Sequence, residues 1–287
     1  MTIHDIDFAH LYREHLAAAG FQPKSPEAWD ARVAEMRERQ EESAYVRAFV
    51  ERVDLEGATT LLDVGCGTGA IALALAPRLQ RVHGLDHSAG MLQALVEQAT
   101  VRGFTNVHPL HRAWEDDWSD VPECDIVVAS RSTLVRDLAD ALRKVDAKAR
   151  RRAYMTSLVG GRFLCPEVLA VLGRDLFPLP DYIYIVNLLY QMGHHPRLDY
   201  LEGTNRLAGT RDFDSFAARV ASSVGPLSPD ERHRLRQWYE ADPERAFRGG
   251  GPCRWALISW EKPSSPGVEP AVSHPPTGPR GPSPGAR

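Results

Sequence analysis

Short apolar runs alternate with longer amphipathic segments along most of the chain, and this alternation is typical of an α/β fold. The run at 123–130 is apolar throughout its second half, as in a parallel strand that is covered on both faces. Strands are predicted at 61–64, 81–86, 106–112, 123–130, 151–159, 194–201 and 253–260. Helices are predicted at 5–19, 27–53, 70–76, 91–102, 134–148, 210–224 and 228–241, and the second of these has a possible joint at 37–43. The segment 166–193 is predicted to form a helix, a loop and a second helix that starts at about 181.

The first predicted strand leads into a turn with glycine at every second position, Gly65, Gly67 and Gly69, and then into an Ala/Leu-rich helix. Glycine suits a sharp reversal that brings bare backbone close to a ligand, because a Cβ atom would obstruct both. The N–H groups at the start of the helix are expected to face the ligand without a partner of their own. Such a strand–turn–helix unit is where open α/β sheets hold nucleotide-like cofactors.

Two cofactor classes fit this turn. Gly65, Gly67 and Ala70 satisfy the relaxed dinucleotide pattern, which is weak on its own. Asp63 at the end of the strand disfavours a pyrophosphate, which its carboxylate would repel, and suits a ligand with a cationic ammonium. Asp86 follows the turn by about 20 residues, the separation expected of a ribose-binding carboxylate in either class.

The segment from Asp63 to Gly69 matches in full the first motif of class I S-adenosylmethionine-dependent methyltransferases, acidic-x-Gly-x-Gly-x-Gly, and the chain resembles this family. Residues 81–92 resemble the family's second strand, which ends in the acidic residue that holds the ribose hydroxyls. The resemblance implies S-adenosylmethionine as cofactor. Many members carry an aspartate where Ala113 stands, so adenine recognition is open between backbone groups, Glu115 and Asp116. The cofactor-binding residues implied are Asp63, Gly65, Cys66, Gly67, Gly69, Asp86, His87, Met91, Ala113, Trp114 and Ser130.

The resemblance also implies a doubly wound, mostly parallel seven-stranded sheet with a final antiparallel strand. Pro109 agrees with an edge position for the third strand, because proline cannot donate a hydrogen bond to a sheet. We therefore expect an N-terminal helical cap at 1–54 and a Rossmann-like methyltransferase domain at 55–262, with a helical insertion at about 210–247. Residues 263–287 are rich in Pro and Gly and lack large apolar residues, which predicts a disordered tail.

Catalytic residues are harder to identify, because in-line methyl transfer from a sulfonium needs positioning and exclusion of water, and a general base is optional. Arg131 could bind an anionic group of the substrate or cap the next helix. His194 and His195 could accept a proton, although a solvent-facing histidine at a strand start is the more ordinary interpretation. Trp29 and Tyr45 are candidate substrate contacts or core residues. The Asn/Asp-Pro-Pro-Tyr motif of the family's amino-methylating nucleic-acid enzymes is absent after the fourth strand.

The net charge of −4 and the pI near 6.3 give no global basic field, which makes nucleic acid an unfavoured partner. The four cysteines form no CxxC pair, so no metal site is expected, and the predicted core or turn positions of Cys66 and Cys124 fit a reducing cytoplasm. No signal peptide and no membrane-spanning segment are expected.

The charge and the aromatic segment at 166–193 favour a small-molecule methyl acceptor. The alternatives are an RNA or protein methyltransferase, a non-catalytic S-adenosylmethionine-binding protein and an NAD-dependent oxidoreductase.

Overall fold

The computed structural model describes residues 2–40, 43–203, 205–251 and 253–262, so the predicted tail at 263–287 lies outside the described residues. Its strands are β1 (Thr60–Val64), β2 (Arg81–Asp86), β3 (Val107–His111), β4 (Cys124–Ala129), β5 (Ala149–Leu158), β6 (Arg197–Gly203) and β7 (Cys253–Glu261). They form one sheet in the order β3-β2-β1-β4-β5-β7-β6. Strands β1 to β5 pair in parallel, and β7 is antiparallel to both of its neighbours. The predicted doubly wound, mostly parallel sheet with a final antiparallel strand is confirmed.

The helices start where local signals place them. Ser25 and Ser228 cap helices that have proline at the first position. A short helix at Pro243–Phe247 was not predicted, although Asp242 caps it in the same way. The helices are α1 (Phe8–Ala18), α2 (Pro26–Asp30), α3 (Val33–Gln40), α4 (Ala44–Arg52), α5 (Ala70–Leu75), α6 (Ala89–Val101), α7 (Leu138–Lys148), α8 (Pro166–Leu172), α9 (Tyr182–Gln191), α10 (Phe213–Val224), α11 (Pro229–Ala241) and α12 (Pro243–Phe247).

Several predicted boundaries are wrong. The helices predicted at 5–19 and 210–224 begin at Phe8 and Phe213, and the strand predicted at 194–201 begins at Arg197, after both histidines. The helix predicted at 134–148 begins only at Leu138, because the Asp137 side chain accepts a hydrogen bond from the Asp140 N–H and caps it there. The segment at 27–53 contains a break after Asp30 as well as the predicted joint, which ends at the Ser43 cap of α4. The earlier break separates α2 from α3.

The edge position predicted for β3 is confirmed. Pro109 lies opposite Gly84 of β2, and β2 is the neighbour of β3 in the sheet. Proline has no N–H group to donate and is tolerated at this edge, because in the part of the chain that the structure describes no further strand pairs with the outer side of β3.

Successive residues of β1 pack on opposite faces of the sheet. Leu61 lies in a cluster with residues of α4, α5 and α6, and Leu62 lies in a second cluster with residues of α1, α7 and α9. Both leucines are fully buried. The helices expected as an N-terminal cap are thus divided between the two layers. Loops from both layers meet at the carboxyl ends of β1, β4 and β5, where ligands bind in open α/β sheets.

The insertion predicted at 210–247 corresponds to α10, α11 and α12. Helices α10 and α11 share a third apolar cluster with α8, and Phe216 and Leu235 are fully buried in it. None of the helices in the described ranges is long and apolar enough to cross a bilayer.

Candidate functional site

The turn between β1 and α5 has left-handed backbone at each alternate glycine, with φ of 67° at Gly65, 53° at Gly67 and 93° at Gly69. A Cβ atom at Gly65 would lie 2.3 Å from Ser132 Cβ, and one at Gly69 would lie 2.3 Å from Leu95 Cδ1. At Gly67 a Cβ atom would meet only Met91 Sδ, at 4.0 Å. The turn is therefore tightly packed at its two ends and open at its middle, which leaves a cradle of bare backbone at Gly67.

Asp86 lies at this opening, at the end of β2. Its Oδ2 accepts a hydrogen bond from the Gly67 N–H at 2.9 Å, and its Oδ1 accepts one from the Ser88 N–H at 2.9 Å. The carboxylate is partly exposed, so it remains reachable by a ligand. Asp86 thus fixes the turn and presents a negative charge at its mouth.

Several N–H groups of the turn and of the helix start are already bonded within the protein, so the prediction that the N–H groups at the start of the helix have no partner is wrong for Ala72. The Gly65 and Cys66 N–H groups both donate to the Leu85 carbonyl, at 2.7 and 3.0 Å. The Ala72 N–H in the first turn of α5 donates to Asp63 Oδ2 at 3.0 Å. The end of β2 and the two aspartates satisfy these donors, because a buried N–H group without a partner is costly.

Asp63 lies beneath the turn and is 2% exposed. Burial is the main cause that raises the pKa of its carboxyl to about 7; the bond from Ala72 opposes the shift, and the nearby charge of Asp86 adds to it. Burial also raises the pKa of the Cys66 thiol well above its ordinary value, so this cysteine stays protonated and is not a nucleophile.

The start of α6 forms the wall next to Asp86. Ser88 caps the helix by accepting from the Met91 N–H at 3.0 Å, and Met91 is buried. Asp30 of α2 reaches across to this helix start, where its Oδ1 accepts from Ser88 Oγ at 2.5 Å and from the Gly90 N–H at 3.0 Å. His87 is half-buried, and its carbonyl lies 3.0 Å from His111 Nε2. Asp30 was not predicted as a site residue, because no local pattern pairs positions so far apart in the chain.

The loop after β3 crosses toward the loop after β4. Trp114 Nε1 donates to the Ser132 carbonyl at 3.1 Å, and the Trp114 ring stacks on Trp118 with centroids 5.4 Å apart. The Ala113 N–H donates to Asp116 Oδ2 at 2.8 Å, so Asp116 closes its own loop, whereas Glu115 is exposed. The structure therefore brings Ala113 and Trp114 to the mouth of the site.

Hydroxyl groups converge at the end of β4. The Tyr45 hydroxyl lies 2.8 Å from Ser130 Oγ and 2.8 Å from Thr156 Oγ1. Tyr45 is 2% exposed, and burial raises the pKa of its phenol. The guanidinium of Arg131 lies 4.5 Å from the centroid of the Tyr45 ring. Asp137 caps α7, so Arg131 is not the cap of that helix.

A narrow space adjoins Arg131, and we call it the β4–β5 cleft. It encloses about 40 Å³, room for a few water molecules. Its walls come from α1, from the loops after β4 and β5, and from the start of α9, which lies in the aromatic segment at 166–193. The lining residues are Tyr12, Arg131, Thr133, Leu134, Leu138, Ser157, Leu158, Phe163, Leu179, Pro180, Asp181, Ile185 and Trp255.

The structure does not bring His194 or His195 to this site. His194 Nε2 lies 3.0 Å from Asp146 Oδ1, and Asp146 also accepts from Trp260 Nε1 at 2.9 Å. Asp146 lies in the last turn of α7, just before β5 begins at Ala149, so His194 lies on the side of the amino ends of the parallel strands, opposite the edge that holds the glycine turn. His195 is exposed beside Tyr190. Trp29 is half-buried, with the Arg32 guanidinium 5.2 Å from its ring centroid.

The residues gathered at the turn fit a nucleoside with a positively charged amino-acid tail. The open backbone at Gly67 admits close approach beside Met91, Asp86 offers oxygens to a ribose, and the half-buried Trp114 supplies apolar surface. The partly exposed carboxylate of Asp86 would repel a pyrophosphate at the same place.

Comparisons with known proteins agree with this geometry. Residues 61–151 match a family model described as a methyltransferase domain. Over 265 residues the chain is 37% identical to an uncharacterized protein of Haemophilus influenzae, and the match covers 91% of this chain and 98% of that protein. It is 28% identical over 182 residues to the aklanonic acid methyltransferase DauC of a Streptomyces species, covering 62% of this chain and 76% of that enzyme.

A solved structure has the same fold. The YcgJ protein from Bacillus subtilis aligns with a TM-score of 0.53 at 14% sequence identity, over 77% of this chain and 99% of that one.

Proposed function

Because this chain belongs to the class I S-adenosylmethionine-dependent methyltransferases, we propose that its methyl acceptor is a small molecule that binds in the β4–β5 cleft. S-adenosylmethionine is the cofactor, and when bound it supplies a methyl group already activated by a sulfonium. Membership of this family sets aside the NAD-dependent oxidoreductase considered from the glycine pattern alone.

The residues at the turn would hold the cofactor. Asp86 is placed to accept hydrogen bonds from the ribose hydroxyls, and the cradle at Gly67 is placed to admit the nucleoside next to the backbone. Met91 and Trp114 would cover the adenine, and Asp63 would attract the ammonium group. Ser130 directly follows β4, its Oγ lies 2.8 Å from the Tyr45 hydroxyl, and the next residue, Arg131, lines the cleft.

The single observation that carries the proposal is that the N-terminal helix α1, the loop after β5 and helix α9 together enclose the cleft. Tyr12 comes from α1, Phe163 from the loop after β5, and Ile185 from α9. An enclosed, mostly apolar site with a few polar groups is the usual form of a small-molecule site. Because the space is only about 40 Å³, we expect the segment at 179–181 to move outward when an acceptor enters.

Two further observations favour a small acceptor over RNA. The net charge is −4, which gives the chain no general attraction to a phosphate backbone. The partial match to an enzyme named for aklanonic acid points the same way.

The chain's contribution to the reaction is positioning. The cleft would hold the acceptor in line with the donor and exclude water, which supplies most of the catalysis that methyl transfer needs. The buried hydroxyls of Tyr45 and Thr156 keep Ser130 in place. We assign no general base, because an acceptor that arrives deprotonated needs none.

Transfer of a labelled methyl group tests the proposal. Purified protein and methyl-labelled S-adenosylmethionine are incubated with a small-molecule extract from which everything above about 3 kDa has been removed, and in parallel with total RNA and with total protein. We expect label in the small-molecule fraction only. Label in RNA or polypeptide, with none in small molecules, would contradict it.

A further inference from the structure

Arg131 has an unusual backbone. Among the described residues, Arg131 is the only one other than glycine that has a positive φ, at 58°. An L-residue with a long side chain pays about 1–2 kcal/mol for this conformation. Strained backbone persists where the surroundings enforce it, and it is concentrated at ligand-binding and catalytic positions.

Neighbouring residues hold Arg131 in this conformation. Its N–H donates to Thr156 Oγ1 at 2.9 Å, and Thr133 Oγ1 donates to the Thr156 carbonyl at 2.8 Å. Thr156 is fully buried, so the loop after β4 is pinned on both sides of Arg131 to a rigid point of β5. The chain therefore fixes the direction in which this side chain leaves the backbone.

The guanidinium of Arg131 is held in one position, but no carboxylate neutralises its charge among the described residues. It lies over the ring of Tyr45, and in the described ranges no Asp or Glu forms an ion pair with it. Asp181 lines the same cleft, but its Oδ1 accepts from the Ile183 N–H and caps α9. The side chain of Arg131 is exposed at the cleft, so a ligand can reach it.

We propose that Arg131 binds a carboxylate of the acceptor, so that the substrate class is an apolar or aromatic carboxylic acid. This inference rests on the proposed function, because it assumes a small acceptor in the β4–β5 cleft. A guanidinium offers two parallel donors that match the two oxygens of a carboxylate. The apolar walls of Leu134, Leu158 and Phe163 suit the remainder of such a molecule. The negative charge of the acceptor would also reduce the repulsion between two positive charges, those of the guanidinium and of the donor's sulfonium.

A carboxylate could also come from the methionine part of the cofactor, and the test separates the two sources. Isothermal titration measures the affinity of wild type and of Arg131→Gln for S-adenosylhomocysteine and for 5′-methylthioadenosine, which lacks the amino-acid tail. We expect both affinities to be unchanged by the substitution. A loss of affinity for S-adenosylhomocysteine alone would overturn the proposal in favour of the cofactor's carboxylate.

The acceptor arm uses protein saturated with S-adenosylhomocysteine, titrated with benzoate and 1-naphthoate and with their neutral amides. We expect the acids to bind more tightly than the amides, and Arg131→Gln to weaken the acids about ten- to a hundredfold while leaving the amides unchanged. Arg131→Lys should restore part of the affinity. Arg136→Gln, at an exposed arginine of the same loop that does not line the cleft, should behave as wild type.

Equal binding of acids and amides, or no binding of any acid to wild type, would overturn the role of Arg131. Failure of the proposed function is distinguishable from this result, because it would appear as methyl transfer to RNA or protein.

Discussion

The carboxylate of Asp86 accepts a hydrogen bond from the backbone N–H of Gly67 at 2.9 Å. The bond joins the end of β2 to the middle of the turn after β1, so the two segments that resemble a methyltransferase in sequence are one structural unit. Asp86 therefore has two roles, because it holds the turn and faces the place where a ribose would lie. A substitution there changes both the turn and the ligand site, and experiments have to separate the two effects.

Replacing Gly69 by Ala should strongly destabilise the protein. The new Cβ would meet Leu95 Cδ1 at 2.3 Å, in addition to the strain of φ at 93°. We expect a loss of at least about 2–3 kcal/mol in the free energy of unfolding, measured by urea denaturation. Gly103→Ala is the matched control, since Gly103 also has positive φ, at 73°, but has open space around its Cβ position. It should cost only about 1 kcal/mol. Equal losses at the two positions would show that packing against Leu95 is unimportant.

Stability should depend on pH through Asp63. Its pKa is about 7 in the folded protein and about 3.9 in an unfolded chain, so between these values the native state keeps a proton that the unfolded state has lost. The contribution of Asp63 to the free energy of unfolding should therefore fall as pH rises from about 4 to about 7. Asp63→Asn cannot lose a proton, so its stability relative to wild type should improve over the same interval. The assignment would be contradicted if the difference in free energy of unfolding between wild type and Asp63→Asn, measured by urea denaturation, stayed constant from pH 5 to pH 8.

Most of the fold follows from local sequence. Apolar runs, serine caps and Pro109 were enough for the strands, most helices and the edge position of β3. The missed helix α12 carried a usable signal, the Asp242-Pro243 start. The break between α2 and α3 carried no such signal.

The site was harder to predict because its polar contacts join distant parts of the chain. The turn and Asp86 were found from spacing, but nothing local indicates that Leu85 and the two aspartates satisfy the N–H groups of the turn. The same is true of the positive φ of Arg131, which depends on Thr156, and of the pairing of His194 with Asp146. Each of these contacts is decided by tertiary packing.

Asp30 should control how fast the cofactor product leaves. Its bonds to Ser88 and the Gly90 N–H hold α2 against the start of α6, next to Asp86. The bond from Ser88 lowers the pKa of Asp30, so the carboxylate stays ionised at neutral pH. We expect Asp30→Ala to release S-adenosylhomocysteine several-fold faster in stopped-flow measurements. Glu27→Ala, on the same helix, should leave the rate unchanged, and an unchanged rate in Asp30→Ala would exclude a gating role for α2.

The most direct test of the account is a calorimetric titration of S-adenosylhomocysteine into wild type, Asp86→Asn and Asp86→Ala. Asparagine keeps an oxygen that can accept from the Gly67 N–H, whereas alanine removes it. Wild type should bind one equivalent, and both variants should lose at least about tenfold in affinity, because each removes a charged acceptor for the ribose hydroxyls. Thermal denaturation should show Asp86→Asn folded with the smaller loss of stability. Wild-type affinity in both folded variants would contradict the claim that the Asp86 carboxylate and its glycine turn hold the cofactor.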